Sequence, residues 1–267
     1  MTICMLIFLT ILQSQSSPTE DQKVPDRLVT PLPYSWAERH EWEWIHDGIP
    51  VGTTTVQLLP PNSQQQHWTL DARLRWSREG RSIDLRQITD YQGGTLNPAR
   101  TRKEGRIGAL GAGERRFVTA CELTGKQARI VTSSPFEGTQ VDRVVPIPAT
   151  TVLLETQCFE HWLVIGALLN RNKPATDSAS VHHSFSALIP SEFRILQLKL
   201  TRDRQEQSGD KTLVRWKVTC PDFEAKLWTG PDGSVERYRQ GPLEIRRVVP
   251  RVKVPPPSND KPPSSGR

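Results

Sequence analysis

The sequence predicts a mainly β fold, a curved antiparallel sheet or unclosed β-barrel of about 10–11 strands with one central helix packed on it. Three observations carry that expectation. Apolar residues recur at every second position through most of the body, and Gly- and Asp-bearing turn signals separate the recurring segments. One stretch near the middle instead recurs at three or four.

The alternation is clearest over residues 67–76. There Trp68, Leu70, Ala72, Leu74 and Trp76 share one face, and His67, Thr69, Asp71, Arg73 and Arg75 share the other. Upstream, residues 39–46 set Trp42 and Trp44 on one face and Glu41 and Glu43 on the other. They run into Asp47-Gly48, a hairpin turn pair, with residues 51–59 as the partner strand. Further strand segments are 82–91, 115–123, 127–133, 181–189, 193–202, 212–220, 223–229, 234–240 and 243–248. Turns fall at Glu79-Gly80, Gly93-Gly94, Ser208-Gly209-Asp210 and Pro231-Asp232-Gly233. Over 150–170, Leu154, Cys158, Trp162, Ile165 and Leu169 line one helical face. Pro146 and Pro148 precede this segment and Pro174 follows it, so a helix is expected at about 150–170, its apolar face against the open side of the sheet.

The flanks read differently. Ile3 to Leu12 is an uncharged apolar run followed by Ser14, Ser16, Ser17 and Pro18. It is too short for a bilayer span, which needs ~20 residues, and fits the core of a secretory signal over residues 1–17, although no Lys or Arg precedes it. Cys4 lies ahead of the run and so is not placed for lipoprotein-type acylation. Residues 18–37 read as an extended proline-rich leader, 38–249 as a single β-rich domain, and 250–267 as a disordered proline-rich tail. The expected product is an exported, periplasmic or extracellular protein with no transmembrane span in the mature chain. Cleavage would leave Cys121, Cys158 and Cys220, for which one disulfide plus a thiol, or three thiols, both fit.

The net charge of +6 argues against a nucleic-acid partner. Arg251, Lys253, Lys261 and Arg267 against Asp260 place +3 of it in the tail, leaving +3 for everything else. Residues 100–106 are the densest basic stretch, but they include Glu104 and read as a solvated loop.

No catalytic or metal motif stands out. His182-His183 would point to opposite faces of a strand, and Glu160-His161 are adjacent where converging ligands need helical spacing. The glycines at 105, 108, 111 and 113 lack the Lys-Ser/Thr ending of a phosphate loop and read as a hairpin connection. Glu41 with Glu43, and Asp84 with Asp90, read as ordinary cross-strand partners of basic neighbours. No cofactor is expected. Were the protein a hydrolase-type enzyme with residues converging from separate strands, His161, His182, His183 and Cys158 would be the first candidates.

The eight tryptophans are the remaining signal. Trp42, Trp44, Trp68, Trp76 and Trp216 sit on apolar strand faces and Trp162 on the helix. Two readings fit: a large aromatic core, or the walls of a cavity for an acyl chain or other apolar ligand with the helix as lid.

Residues 42–52 (WEWIHDGIPVG), the proline and helix over 146–169, and the strand, tight turn and closing hairpin over 227–246 with Trp228, Asp232-Gly233 and Arg237 form a recognisable layout. It resembles bacterial exported proteins of unknown function with the unclosed barrel of the LolA/LolB-like periplasmic lipoprotein carriers. That resemblance, over about residues 38–249, implies a curved antiparallel sheet with a helix on its concave side and carries no catalytic residue. The expected function is non-enzymatic: an exported β protein binding an apolar or amphipathic ligand, such as a lipid or lipoprotein-like group, or an envelope partner. An enzyme, or a structural subunit of the cell envelope, are the alternatives.

Overall fold

The computed structural model describes residues 31–35, 38–61, 66–92, 95–109, 113–134, 138–171 and 181–248. The expected signal at 1–17, most of the leader at 18–37 and the tail at 250–267 lie outside the described residues.

The first eight strands are β1 (Arg39–His46), β2 (Ile49–Leu59), β3 (His67–Arg78), β4 (Arg81–Gln92), β5 (Pro98–Ala109), β6 (Gly113–Thr124), β7 (Gln127–Ser134) and β8 (Thr139–Pro146). A three-residue strand β9 (Thr151–Leu153) precedes the helix α1 (Glu160–Arg171). Then follow β10 (His182–Ile189), a single 3₁₀ turn (Pro190–Glu192), β11 (Arg194–Ser208), β12 (Lys211–Thr219), β13 (Glu224–Thr229), β14 (Val235–Gln240) and β15 (Leu243–Val248). The tight hairpins follow from turn chemistry. Asp47 and Gly48 (φ 53° and 78°), and Glu79 and Gly80 (φ 51° and 74°), are left-handed at both central positions, which matches the right-handed twist of the strands they join.

Among the described residues all fifteen strands belong to one sheet, ordered β8 to β1, then β15 to β9. Neighbours are antiparallel except β9, which runs parallel to β10. The two halves meet where β1 pairs with β15, Trp44 opposite Ile245. The sheet curls until its ends approach. Cys121, Ala128 and Ile130 of β6 and β7 pack with Leu153 of β9 and Leu188 of β10. No ladder joins β8 to β9, so packing of side chains closes the gap and the barrel stays unclosed.

The main core lies on the concave face, around α1. It gathers Trp42, Leu58, Leu70, Leu85, Leu198, Leu200 and Leu227 from the strands and Leu163, Ile165 and Leu169 from the helix, all nearly or fully buried. Leu32 and Tyr34, from the segment read as leader, are also buried there. The Tyr34 hydroxyl accepts the Val235 N–H at 2.6 Å, and the Arg247 guanidinium lies over its ring at 5.3 Å. No described helix is long and apolar enough to cross a membrane.

The mainly β class with one helix on the sheet is as expected, but the details need three corrections. The strands number fifteen among the described residues, not about 10–11. Residues 100–106, expected as a loop, lie inside β5, and residues 139–146 form the edge strand β8. The helix begins at Glu160, not near 150, because residues 151–153 pair with β10 as a strand.

Candidate functional site

The tryptophans define the interior. Trp42 is completely buried, its indole N–H donating to the Val235 carbonyl at 3.3 Å, and its ring lies 5.5 Å from Phe159. Trp44 donates to Thr54 Oγ1 at 2.8 Å and Trp216 to Thr229 Oγ1 at 3.0 Å. Trp68 is buried in the same core, and Trp76 is half-buried at its margin. The indole N–H groups of Trp42, Trp44 and Trp216 are thereby satisfied within the core. Trp162 is placed differently, on the helical turn nearest an opening.

That opening is a cavity of about 300 Å³ at the N-terminal end of α1. Leu154 to Gln157 lie on one side, and the 3₁₀ turn with Arg194 and Leu196 on another. Phe223, Asp222, Tyr238 and Gln240 complete the wall. Trp162 is the hub of its aromatic part, 4.9 Å from the Tyr238 ring and 6.5 Å from the Phe223 ring. The Tyr238 hydroxyl donates to Gln240 Oε1 at 2.8 Å. On the rim, Arg194 is held by Glu192 at 2.5 Å and Asp222 at 2.6 Å, and these two carboxylates keep its guanidinium charged.

Two residues beside the cavity adopt a backbone that side chains disfavour. Gln157 (φ 64°) and Phe193 (φ 53°) are left-handed without being glycine, which costs on the order of 1 kcal/mol or more each. Phe193 ends the 3₁₀ turn, its N–H returning to the Pro190 carbonyl at 3.2 Å. Depressions of about 450 and 500 Å³ also lie on the sheet, but Arg73, Asp84, Arg106 and Glu114 among their walls already pair with one another, and Arg86 pairs with Asp71. The helix-end cavity brings three aromatic rings together, Trp162, Phe223 and Tyr238, where the other two have one each, Phe117 and Trp76. Such a cluster beside polar groups is what a small-molecule site offers.

Beneath it lies a buried polar knot. Glu155, nearly inaccessible, accepts the N–H groups of Thr156 and Ser191, both at 2.9 Å, and the Ser191 hydroxyl. Lys103 of β5 reaches Glu155 at 3.3 Å and the Thr156 carbonyl at 2.8 Å. One carboxylate therefore ties both cavity-lining loops to the far half of the sheet. The Glu155 N–H in turn donates to His161 Nδ1 at 2.9 Å, so the neutral ring keeps its proton on Nε2. There Nε2 lies 3.3 Å from the Gln87 carboxamide nitrogen, itself a donor, so this is a close contact and not a hydrogen bond. That nitrogen donates to Thr101 Oγ1 and the carboxamide oxygen accepts from the Cys158 thiol, each at 2.7 Å.

The structure thus brings Cys158 and His161 together through Gln87, while His182 and His183 stand apart on β10. Burial pushes the Cys158 thiol well up, and burial followed by the Lys103 charge pushes His161 down to about 3. Both are held neutral, whereas a nucleophilic thiol needs a lowered pKa beside a cationic imidazole. The knot is chemically suited to hold loops in place. Among the described residues no group of three or more His, Cys, Asp or Glu is placed to hold a metal ion, and Cys121, Cys158 and Cys220 are free thiols. Of the carboxylates expected as surface partners, Asp84 pairs with Arg73 at 2.7 Å and Glu43 with Arg246 at 2.7 Å, but Asp90 is buried, held by Thr69 and Arg100.

Two neighbouring groups make stability depend on pH in opposite senses. Burial raises Glu160 from 4.5 to about 7, and one of its oxygens lacks a hydrogen-bond partner, as suits a neutral carboxyl. With the folded pKa raised, its stabilising contribution is complete below pH 4.5 and lost as pH rises to 7. His161, lowered from 6.5 to about 3, contributes above pH 6.5 and loses its contribution as pH falls to 3. In urea titrations across this range, Glu160→Gln should gain on the native protein by on the order of 2 kcal/mol as pH rises from 4.5 to 7. His161→Asn should gain on it in the acid direction. Differences that stay constant with pH would exclude this assignment.

Of the six tryptophans expected to wall a cavity, Trp162 lines this one. Arg194, Phe223 and Tyr238 were not among the expected site residues. Phe223 and Tyr238 carried a signal as aromatic positions in strand-like segments, but only the curl of the sheet brings them to Trp162.

No family model matches the chain, and no curated protein does. A solved structure described as a β-barrel-like protein of the domain of unknown function DUF1849, from Brucella abortus, is similar to it at a TM-score of 0.48 and 12% identity. The likeness covers 78% of this chain and 93% of that one.

Proposed function

We propose that this is an exported, non-enzymatic β protein that binds a small amphipathic ligand in the cavity at the N-terminal end of α1. The observation that carries the reading is the aromatic wall of Trp162, Phe223 and Tyr238 facing a rim of hydrogen-bonding groups. Its volume of about 300 Å³ is at the lower end of small-ligand sites, sufficient for a short chain or a single ring. The Lys103–Glu155 knot supports a preformed site, since it holds the lining loops before any ligand arrives. The apolar run at residues 3–12 supports export.

Native mass spectrometry on protein recovered from its own envelope fraction tests both halves. A mature N-terminus within residues 15–20 and a bound small molecule are the expected results. Phe223→Ala should empty the site while leaving the fold intact. An intact N-terminus would end the export reading, and protein that is always empty would end the ligand reading.

A further inference from the structure

The charge arrangement at the same cavity says what kind of head group it takes. We infer that the ligand presents a cationic amine, such as an alkyl- or trimethylammonium group, to the rim formed by Glu192 and Asp222. The inference rests on the proposed binding role of that cavity and adds the ligand's charge to it.

Three charged side chains stand on the rim, and their sum is negative. Arg194 lies between Glu192 and Asp222, donating from Nε to the first and placing Nη1 at 2.6 Å from the second. One positive charge thus serves two carboxylates, with about 40% of each side chain open to solvent. The other charged pair of the cavity, Lys103 with Glu155, is buried and neutral as a pair. Arg143 is stacked 5.0 Å over the Phe193 ring and is not part of the lining. The Glu192 carboxylate has one further contact, the Thr156 hydroxyl at 3.3 Å.

An anionic head group would have to take Arg194 from two carboxylates that already neutralise it. A cation meets the uncompensated charge directly, with the rings of Trp162, Phe223 and Tyr238 in the same wall. Ring faces attract alkylammonium groups, an effect of about 0.5–2 kcal/mol per favourable contact. The α1 N-terminus would favour an anion, but its first turn is filled by the buried Glu160 side chain. The balance at the opening therefore favours positive charge.

The experiment compares hexyltrimethylammonium, hexanol and hexanoate, which share one apolar chain, by calorimetry on the full chain at low salt. The ammonium ion should bind about tenfold tighter than hexanoate, a difference of about 1.4 kcal/mol. High salt should narrow the gap, because the rim is open to solvent. In Glu192→Gln/Asp222→Asn, with folding checked by circular dichroism, Arg194 is released and the order should reverse. Hexanoate binding as tightly as the ammonium ion, while Phe223→Ala weakens hexanol, would overturn the charge inference and leave the cavity reading standing. Failure of all three to bind, or hexanol binding indifferent to Phe223→Ala, would overturn the cavity reading itself.

Discussion

Lys103→Met is expected to lower the unfolding free energy by about 3–5 kcal/mol. The cost arises from what the substitution leaves behind. Lys103 and Glu155 are both buried, with side chains 6% and 1% exposed, so removing the ammonium leaves a carboxylate without its counter-charge inside the protein. It also leaves the Thr156 carbonyl without its donor. The double variant Lys103→Met/Glu155→Gln should recover most of the loss, to within about 1–2 kcal/mol of the native protein, because no charge remains buried. Its single carboxamide oxygen can still accept from one of the Thr156 and Ser191 N–H groups, which Glu155 meets with different oxygens, and the other N–H accounts for the residual loss. Glu155→Leu should not rescue Lys103→Met, since it orphans the N–H groups of both loops. Guanidinium unfolding followed by tryptophan fluorescence measures all four proteins. A loss below about 1 kcal/mol in the single variant would mean that the ion pair contributes little and the loops are held otherwise.

Gly166→Ala should destabilise by about 3 kcal/mol, although alanine is the better helix former by about 1 kcal/mol. The reversal comes from how α1 docks. Its backbone lies directly on the turn between β13 and β14, where a Cβ on Gly166 would fall 2.6 Å from Val235 Cγ2 and 2.7 Å from the Gly233 carbonyl oxygen. Gly233 cannot easily yield. It is left-handed at φ 88°, and a Cβ there would in turn meet the Gly166 carbonyl at 2.8 Å. The Asn170 carboxamide closes the same contact by donating to the Asp232 carbonyl at 2.9 Å. The helix would have to lift from the sheet, carrying Trp162 and the cavity wall with it. Thermal melting of the variant checks this, and a raised midpoint would show that helix propensity outweighs the close approach.

These two sites show why some of the molecule was legible in the sequence and some was not. Strands such as β3 announce themselves because one face meets the core and the other meets water, so Trp68, Leu70, Ala72 and Leu74 alternate with charge. On β5 the inward positions are Thr101 and Lys103, then Gly105, because that face meets the polar knot and the Leu85 side chain. The alternation is present, but it is not written in hydrophobicity. On β8 both faces are exposed, so there is no contrast to read. At β9 the three buried residues precede Leu154, Cys158 and Trp162, whose spacing alone reads as one helical face, and only the pairing with β10 separates strand from helix.

The helix-end cavity was less legible still. Trp162 was recognisable as an aromatic on a helical face, but its partners come from residues 223 and 238 and its rim from 192 to 194. Contacts of that sequence separation are set by the order of strands in the sheet and by its curl. The dipeptide His182-His183 drew notice in the sequence yet lies away from the cavity. Arg194, an ordinary residue at the start of a strand, acquires its place from the 3₁₀ turn before it and from Asp222 across the opening.

By itself the sequence determined the β class, the early hairpins and the existence of one amphipathic helix. Those features depend on interactions between residues a few positions apart, namely side-chain periodicity and the backbone preferences of turn residues. Only the tertiary structure decided that the described strands number fifteen in one sheet, that Lys103 and Glu155 are buried partners, and that three aromatic rings wall an opening with a net negative rim. A charged residue is favourable in the interior only when its partner is in place, and that partner is 52 residues away. Its position is therefore a property of the fold as a whole.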